Sequence, residues 1–322
     1  MDTLKHSYNY GTSPLSPDSL SKELRIYLFG KPIAKSLSPL LQPIFFKAAS
    51  ASWTFHLAET TRSTEFSHKL EDPDYIGASI TMPNKVAFMP FLDDITEEAR
   101  TIGAVNTCFV RLDGQGIRRH IGTNTDCIGI RDTLHQKVPK IVQTKLKQPA
   151  LVIGGGGAAR SAIYALWRWF EPSEIYIVNR LKSEVDAIIT SFETTIPGIN
   201  LQHVATVQSA YSLPTPVISI GTIPDYPPKG HGEILCWQIC EIFMQERKGV
   251  LLDMCYLPSP ITRLSRMAEK NGWLVIYGSE VLVRICAAQQ VLWLEKEPSI
   301  EAVNQAQLVV KASLRDVTQS KL

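Results

Sequence analysis

Short apolar runs alternate with longer amphipathic stretches over most of the chain. In the first 135 residues the strand-like runs cover residues 26–29, 54–57 and 75–80, and the stretches with helical spacing cover residues 37–49 and 66–70. This alternation predicts an α/β layer with parallel strands. Two more strand-like runs, residues 105–111 and 117–121, are joined by Asp113-Gly114, a dipeptide that favours a β-hairpin.

A second series of segments follows a charged stretch at residues 136–148. Its strand-like runs cover residues 150–153, 175–178, 217–220, 250–253 and 274–277, and its helical stretches cover residues 158–170 and 182–192. Repeated βαβ units of this kind predict a doubly wound sheet. Two amphipathic helices are expected at residues 281–295 and 300–314, and they would fold back on the first domain.

The fold class that follows is α/β with two domains, an N-terminal α/β domain and a Rossmann-type doubly wound domain. The expected boundaries place a flexible extension at residues 1–22, the first domain at 23–135, the Rossmann-type domain at 136–280 and the C-terminal helices at 281–322. The extension is expected to be loose because it is rich in Ser, Pro and Tyr.

Composition narrows the classes of partner. The 322 residues include 33 basic and 31 acidic side chains, a net charge of +2, which gives no electrostatic footprint for nucleic acid or a membrane surface. No apolar run reaches the ~18 residues that span a bilayer, and residues 1–21 carry no convincing targeting signal. The six cysteines are scattered, which predicts reduced thiols and no metal site. We therefore expect a cytoplasmic monomer or homodimer that binds a small molecule.

A run of glycines marks the turn from the strand-like run at residues 150–153 into a helix, in the order Gly154, Gly155, Gly156, Gly157 and then Ala158. Without side chains the backbone can approach a pyrophosphate, and a helix N-terminus offers free N–H groups to it. Glycines also suit an ordinary tight turn. The strand before, the helix after and a second strand ending at Val178 nevertheless favour a dinucleotide site.

The residues after that second strand bear on the choice of dinucleotide. Asn179 is followed by Arg180 and Lys182, whose charges favour the phosphate of NADP, whereas an acid there would favour NAD. Glu184 weakens this indication, and Arg180 and Lys182 would also suit a solvated helix start. The expected cofactor is NADP, with NAD as the alternative.

Lys85 and Asp126 each follow a short apolar strand and stand among small hydroxyl residues. Lys85 ends the segment 77–85, Asp126 ends the segment 122–126, and residues 103–107 lie between them as Gly-Ala-Val-Asn-Thr. This placement indicates that a proton is moved on a polyhydroxylated substrate. An alternative is a simple salt bridge that pins two loops. Taken with the glycine loop, the pair predicts a dehydrogenase.

Ser36 and Ser38 follow the first strand, and Pro39 is suited to open a helix. Two hydroxyls beside a helix N-terminus can hold a carboxylate without a buried positive charge. An ordinary N-cap at Ser38 would explain the same residues.

The order and spacing of these motifs resemble the shikimate and quinate dehydrogenase family from about residue 27 to residue 293. The matching pieces are Ser36 with Ser38, Thr81 with Lys85, residues 103–107, residues 124–126, the glycine loop with Asn179 and Arg180, residues 253–258, and Gly278. Finer features at residues 124–129, 157–165 and 254–263 are similar to the fungal quinate-pathway branch.

The resemblance implies an NAD(P)-dependent dehydrogenase acting on a ring hydroxyl of shikimate, quinate or a related cyclohexane carboxylate. Lys85 would exchange the proton of the reacting hydroxyl, and Asp126 would orient that hydroxyl and the ammonium group. The implied substrate contacts are Ser36 and Ser38 to the carboxylate, and Thr81, Lys85, Asn106 and Asp126 to the ring hydroxyls. The implied neighbours of the nicotinamide and substrate are Gly221, Thr222, Tyr256 and Gly278. Tyr256 suits a core position equally well.

The chain departs from the family pattern at several positions. The family usually has a glutamine where this chain has Ile285, and losing an amide that pairs with a buried substrate hydroxyl costs about 1–3 kcal/mol. The other departures are Gln42, Pro43, Ser79 and Leu257. Gln289 and Gln290 lie about one helical turn beyond Ile285 and either replace part of the lost amide or face solvent.

Three functions remain in view. The leading hypothesis is the dehydrogenase, because the glycine loop, Lys85 and Asp126 are all present. A ligand-sensing regulator on the same scaffold is the second, since fungal quinate-pathway repressors resemble dehydrogenases and Ile285 departs from the family. A secondary-metabolism enzyme that reduces a ketone on a different ring is the third.

Overall fold

The computed structural model describes residues 2–139 and 147–319, and it divides into two compact units. The first unit comprises Met1–Gly129 and Leu282–Leu322, and the second comprises Ile130–Val281. The second unit is thus inserted into the sequence of the first. The stretch expected to separate the domains, residues 136–148, lies partly outside the described residues.

A six-stranded mixed sheet forms the centre of the first unit. Its strands are β1 (Arg25–Gly30), β2 (Thr54–Glu59), β3 (Tyr75–Ile80), β4 (Asp94–Ile95), β5 (Thr107–Leu112) and β6 (Arg118–Thr123), in the spatial order β2-β1-β3-β5-β6-β4. β1 pairs in parallel with β2 and β3, and β4 pairs in parallel with β6, but β5 runs antiparallel to both β3 and β6. The predicted parallel pairing is found among β1, β2 and β3, and the antiparallel pairing of β5 with β3 was not predicted.

The predicted hairpin between β5 and β6 is confirmed. The Asp113 carboxylate accepts hydrogen bonds from the backbone N–H groups of Gln115 and Ile117, each at 2.9 Å. The left-handed conformation falls on Gly116, with φ of 79°, and not on Gly114. The turn is thus longer than a two-residue loop.

Helices of the first unit flank this sheet and lie at both ends of the chain. The helices that begin before the second unit are Asp2–Ser7, Ser38–Ala48, Ser63–Leu70, Asn84–Ala87, Glu97–Ile102 and Asp126–Lys137. The two C-terminal helices are Gly278–Trp293 and Ile300–Gln319, close to their predicted positions. They share a buried apolar cluster with helix Ser38–Ala48, in which Phe45, Val283 and Ala306 take part.

The helix Gly278–Trp293 packs directly on the sheet. A Cβ at Gly77 of β3 would lie 2.3 Å from Trp293 Nε1, so the close approach requires glycine. Trp293 donates a hydrogen bond to the carbonyl of Cys108 at 2.9 Å. The residues one helical turn before Trp293 therefore lie over the part of the sheet next to Cys108.

The N-terminal residues differ from the flexible extension expected at residues 1–22. Ser7 Oγ accepts a hydrogen bond from the buried Arg111 guanidinium at 2.7 Å, and the carbonyl of Ser19 accepts one from the Trp53 indole at 2.8 Å. A buried guanidinium and a buried indole N–H both require acceptors. Ser7 and Ser19 supply these acceptors.

A six-stranded parallel sheet forms the centre of the second unit. Its strands are β7 (Ala150–Ile153), β8 (Ile175–Val178), β9 (Leu201–His203), β10 (Ile218–Gly221), β11 (Val250–Asp253) and β12 (Leu274–Tyr277), in the spatial order β12-β11-β10-β7-β8-β9. Read from β9, this is the 3-2-1-4-5-6 order of the doubly wound dinucleotide-binding fold. The predicted fold class is confirmed, and β9 was not predicted.

The helices of the second unit connect these strands and are Gly157–Ala165, Lys182–Thr195, Val207–Ser212, His231–Glu246 and Arg263–Lys270. The helix predicted at residues 158–170 ends as an α-helix at Ala165 and continues as a π-helix, Leu166–Phe170. Within the described residues, none of the helices combines the length and the apolar character needed to cross a membrane.

Candidate active site

One edge of the first sheet gathers the polar residues singled out from the sequence. Ser36 and Thr81 follow the carboxyl ends of the parallel strands β1 and β3, and Asp126 follows the carboxyl end of β6. Asn106 precedes β5, which is antiparallel to β3, so its position falls at the same edge. The reversed strand therefore lets both ends of a hairpin contribute to one site.

Lys85 lies on the short helix Asn84–Ala87 just after β3. The Asn84 side chain donates a hydrogen bond to the carbonyl of Thr60 at 2.9 Å, and the carbonyl of Lys85 accepts one from the N–H of Val105 at 2.8 Å. Both bonds fix the backbone of this turn. The Lys85 side chain is only 15% exposed.

Asp126 begins the helix Asp126–Lys137, where a carboxylate is favoured by the helix dipole. The side chain of Asn124 holds the approach to this helix. Its oxygen accepts a hydrogen bond from the N–H of Cys127 at 3.2 Å, and its nitrogen donates one to the carbonyl of Ala104 at 2.9 Å. The Asp126 side chain is 5% exposed.

The two charged groups form a direct ion pair. Lys85 Nζ donates to Asp126 Oδ2, and Asn106 Nδ2 donates to Asp126 Oδ1 at 2.7 Å. Each carboxylate oxygen therefore has a donor. Because both side chains are largely buried, the pair is unlike the exposed salt bridges that merely join surface loops. An ammonium held beside a carboxylate in this way can exchange a proton with a bound hydroxyl.

A chain of buried amides and hydroxyls continues from Asn106. Asn106 Oδ1 accepts from the N–H of Thr125 at 2.7 Å and from the hydroxyl of Thr107 at 2.8 Å. Thr107 in turn accepts from Gln289 Nε2 at 3.0 Å. Gln289 is 3% exposed, so the alternative that it faces solvent is wrong.

The serine pair lies at the start of helix Ser38–Ala48. Ser36 Oγ accepts a hydrogen bond from the N–H of Ser38 at 3.2 Å, and Ser38 is buried. Thr81 lies against β1, where a Cβ at Gly30 would be 2.3 Å from its methyl group. Because Gly30 has no side chain, Thr81 can pack against the end of β1, the strand that precedes the two serines.

The glycine loop of the second unit lies at the switch point of its sheet, where β7 and β10 are neighbours. Gly154 has φ of 130°, and a Cβ there would be 2.2 Å from Thr222 Oγ1, so only glycine fits. At Gly156 a Cβ would meet nothing within 4 Å among the described residues, which leaves the backbone open at the start of helix Gly157–Ala165. Ala158 is the second residue of that helix. An open backbone at a helix N-terminus fits a pyrophosphate.

Asn179 closes the other side of this loop. A Cβ at Gly155 would be 2.4 Å from Asn179 Nδ2, which donates to Glu184 Oε2 at 2.6 Å. A carboxylate therefore lies beside the glycine loop, held there by Asn179.

The two cations expected to favour NADP are both in exposed ion pairs. Arg180 pairs with Glu233 at 2.7 Å, and Lys182 pairs with Asp186 at 2.7 Å. Pairs with this much exposure contribute little to stability, so a phosphate can replace either carboxylate.

Gly221 and Gly278 both pack against the end of β11. A Cβ at Gly221 would be 2.9 Å from Asp253 Oδ1, and one at Gly278 would be 2.3 Å from the carbonyl of Met254. Burial raises the pKa of Asp253 to about 7, although hydrogen bonds from Thr262 and the N–H of Cys255 oppose this. Half-buried Tyr256 follows in the next loop.

Comparisons with known proteins identify the family to which the chain belongs. The family model described as the shikimate dehydrogenase substrate binding domain matches residues 28–108. A quinate dehydrogenase from Emericella nidulans is 38% identical over 315 residues, which cover 92% of this chain and 96% of that protein. The chain belongs to the shikimate and quinate dehydrogenase family. The resemblance inferred from the motifs is confirmed.

Solved structures of the family share the fold. The shikimate 5-dehydrogenase of Thermus thermophilus, in complex with NADP(H) and shikimate, is 26% identical with a TM-score of 0.68, covering 89% of this chain and 99% of that one. The dehydroquinate dehydratase and shikimate dehydrogenase from S. pombe AroM is 30% identical with a TM-score of 0.71. That match covers 88% of this chain and 53% of the S. pombe chain, so this chain spans about half its length.

Three of the residues that depart from the family pattern lie on helices and strands already described. Ile285 is half-buried on helix Gly278–Trp293, one turn before Gln289. Gln42 is fully buried and donates to Gln289 at 2.7 Å, which no local pattern indicated because 247 residues separate them. Ser79 lies opposite Thr107 between β3 and β5, and its hydroxyl finds no hydrogen-bond partner among the described residues.

Proposed function

We propose that this chain is an NAD(P)-dependent oxidoreductase that interconverts a ring hydroxyl and a ketone on quinate, shikimate or a related cyclohexane carboxylate. The observation that carries the proposal is the buried pair of Lys85 and Asp126, which lies at the sheet edge where Ser36, Thr81 and Asn106 are also placed. The relative from Emericella nidulans, which is named a quinate dehydrogenase, supports the substrate class.

Lys85 and Asp126 divide the proton chemistry between them. Oxidation of an alcohol breaks one C–H and one O–H bond, and the O–H proton needs an acceptor. Lys85 Nζ exchanges that proton with the reacting hydroxyl, and Asp126 Oδ2 stabilises the ammonium form. In the reverse direction the ammonium protonates the ketone oxygen as hydride arrives at the carbon. Asp126 orients Lys85 and the reacting hydroxyl.

The substrate is positioned by polar groups at the same edge. Ser36 and Ser38 hold its carboxylate, and Thr81 with Asn106 hydrogen-bonds its ring hydroxyls. Ile285 presents only carbon atoms where the family usually has an amide, so this part of the pocket favours a less polar or differently substituted ring. Tyr256 belongs to the second unit, and its role as a substrate contact stays a prediction from the family resemblance.

The second unit holds the dinucleotide. The residues that we assign to it are Gly154, Gly155, Gly156, Gly157, Ala158, Asn179, Arg180, Lys182, Gly221, Thr222 and Gly278. The crowding at Gly154 and the open backbone at Gly156 fit a pyrophosphate at this turn. When bound, the oxidised dinucleotide supplies the hydride acceptor that the reaction needs. We favour NADP because Arg180 and Lys182 are available to a phosphate, and NADP(H) is bound in the Thermus thermophilus relative.

Steady-state kinetics test this proposal. Purified protein is incubated with NAD or NADP and with quinate or shikimate, and the reverse reaction uses the 3-dehydro acids with the reduced cofactors. The absorbance of the reduced nicotinamide reports turnover. We expect turnover with at least one pair and a fall of at least ~100-fold in kcat for Lys85→Met, because removing the proton acceptor removes general acid–base catalysis.

Lys47→Met is the matched control, since Lys47 is exposed on helix Ser38–Ala48 of the same unit. It should leave kcat unchanged. Binding of substrate or cofactor without turnover in every combination would contradict the enzyme and support a ligand-sensing regulator. Turnover only with other cyclic ketones would support the secondary-metabolism reductase.

We also propose a cytoplasmic location and a monomeric or homodimeric state. All six cysteines are free thiols, which suits a reducing compartment.

A further inference from the structure

Three glutamines form a buried cluster that the proposed chemistry does not use. Gln42 and Gln290 have no exposed surface, and Gln289 is 3% exposed. Burying an amide is costly unless its nitrogen and oxygen are both hydrogen-bonded, so such a cluster needs a reason to persist. Gln42 is on helix Ser38–Ala48, and the other two are on helix Gly278–Trp293.

The hydrogen bonds of this cluster run in one direction. Gln290 Nε2 donates to Gln42 Oε1, Gln42 Nε2 donates to Gln289 Oε1 at 2.7 Å, and Gln289 Nε2 donates to the Thr107 hydroxyl at 3.0 Å. If the Gln289 amide were rotated by half a turn, its nitrogen would face the Gln42 nitrogen and its oxygen would face Thr107. With Gln42 and Gln290 in their observed orientations, the nitrogen of Gln289 reaches Thr107.

The hydrogen bonds continue in the same donor-to-acceptor order as far as the ion pair of Lys85 and Asp126. Thr107 accepts from Gln289 and donates its one hydrogen to Asn106 Oδ1 at 2.8 Å. The Thr125 hydroxyl, 2.9 Å from that of Thr107, also donates to Asn106 Oδ1, at 3.1 Å. With its oxygen occupied by Thr107 and by the N–H of Thr125, Asn106 must turn its nitrogen toward Asp126 Oδ1. This leaves Asp126 Oδ2 for Lys85.

We propose that Gln289 is a positioning residue which, through Thr107 and Asn106, orients the Asp126 carboxylate toward Lys85. Gln42 and Gln290 hold Gln289 in the one amide orientation that does this. The proposal rests on the proposed function for its effect on rate, but the hydrogen-bond direction is independent of turnover. Gln289 touches neither reacting group, so it acts only through other side chains.

The first readout is the side-chain amide of Asn106, observed by NMR in protein labelled with ¹⁵N-asparagine and assigned from its loss in Asn106→Ser. We expect slow solvent exchange of these amide hydrogens in the unmodified protein. In Gln289→Leu the exchange should accelerate by about tenfold or more, because Thr107 is free to turn its hydrogen away from Asn106. Gln305→Leu, an exposed glutamine on helix Ile300–Gln319, is the matched control and should change nothing.

The second readout is the split between kcat and KM. A misplaced catalytic carboxylate slows the chemical step, so Gln289→Leu should lower kcat by about tenfold or more. KM should change by less than about twofold, since the substrate contacts remain.

A triple variant separates positioning from stability. Gln289→Leu alone leaves Gln42 Nε2 without an acceptor and lowers the thermal midpoint, whereas leucine at all three glutamine positions leaves no unpaired amide in the cluster. We expect the triple variant to regain the thermal midpoint but neither kcat nor the slow exchange at Asn106. If Gln289→Leu does not fold, this variant carries the test.

Two results would overturn the proposal. One is an Asn106 amide signal that is unchanged in both variants, and the other is a triple variant whose kcat recovers together with its thermal midpoint. Failure of the proposed function is distinguishable, since it is seen as absence of turnover in the unmodified protein. The Asn106 signal decides the positioning role in that case too.

Discussion

Asp253 makes the stability of the second unit depend on pH. It ends β11 with 2% of its surface exposed, and burial raises its pKa from the ordinary value of 3.8 to about 7. The hydrogen bonds from Thr262 and from the N–H of Cys255 lower the pKa but do not offset burial. Replacing Asp253 with Asn keeps the size of the side chain and removes its ionisation.

The direction of the pH effect on the free energy of unfolding depends on whether the folded or the unfolded state keeps the proton on Asp253. As pH rises above about 4, the unfolded chain ionises Asp253 while the folded chain keeps it protonated until about pH 7. The free energy of unfolding therefore falls over this window and is then constant for this group. The gap between the two pKa values corresponds to about 4 kcal/mol in total, of which about 3 kcal/mol falls between pH ~5 and pH ~8.

Urea unfolding at pH ~5 and pH ~8 measures the effect of Asp253 ionisation. The quantity compared is the difference in the free energy of unfolding between the unmodified protein and Asp253→Asn. We expect that difference to change by about 3 kcal/mol between the two pH values, with the unmodified protein relatively weaker at the higher pH. Asp18→Asn, at an exposed aspartate, is the control and should show no such change. A difference that is equal at both pH values would refute the reasoning, because Asp253 would then ionise alike in both states.

Two further substitutions test packing and cofactor choice. Gly77→Ala should lower the free energy of unfolding by about 1–3 kcal/mol, because its Cβ would lie 2.3 Å from Trp293 Nε1, and an unchanged thermal midpoint would contradict this. Gly114→Ala, with open space around its Cβ, is the control. Arg180→Ala should raise KM for NADP by about tenfold with little effect on NAD, because the phosphate loses a charged donor. Equal effects on both cofactors would remove Arg180, now paired with Glu233, from the phosphate site.

Local chemistry predicted much of this molecule. The glycine loop after β7 and the hairpin at Asp113 were recognised because each depends on residues adjacent in sequence. The proximity of Lys85 and Asp126 was also expected, since both follow strands and strand ends meet at a sheet edge. What the pattern did not indicate was the antiparallel pairing of β5 with β3, because an apolar strand has the same composition in either direction.

The remaining features depend on partners far away in the sequence. Gln289 has the same helical spacing whether it is buried or exposed, and only its bond to Gln42, 247 residues away, reveals which. The N-terminal segment has the composition of a loose extension, but Ser7 accepts a hydrogen bond from Arg111, which lies 104 residues later in the sequence. Such pairs become visible only when the tertiary contacts are known.

The insertion of the second unit into the first has a consequence for biosynthesis. A ribosome completes the second unit once Val281 has emerged, while the sheet of the first unit still lacks the helix that covers Gly77. The covering helix is translated only after the whole second unit, and until then an apolar face of that sheet stays uncovered. The second unit can therefore fold before the first unit is complete.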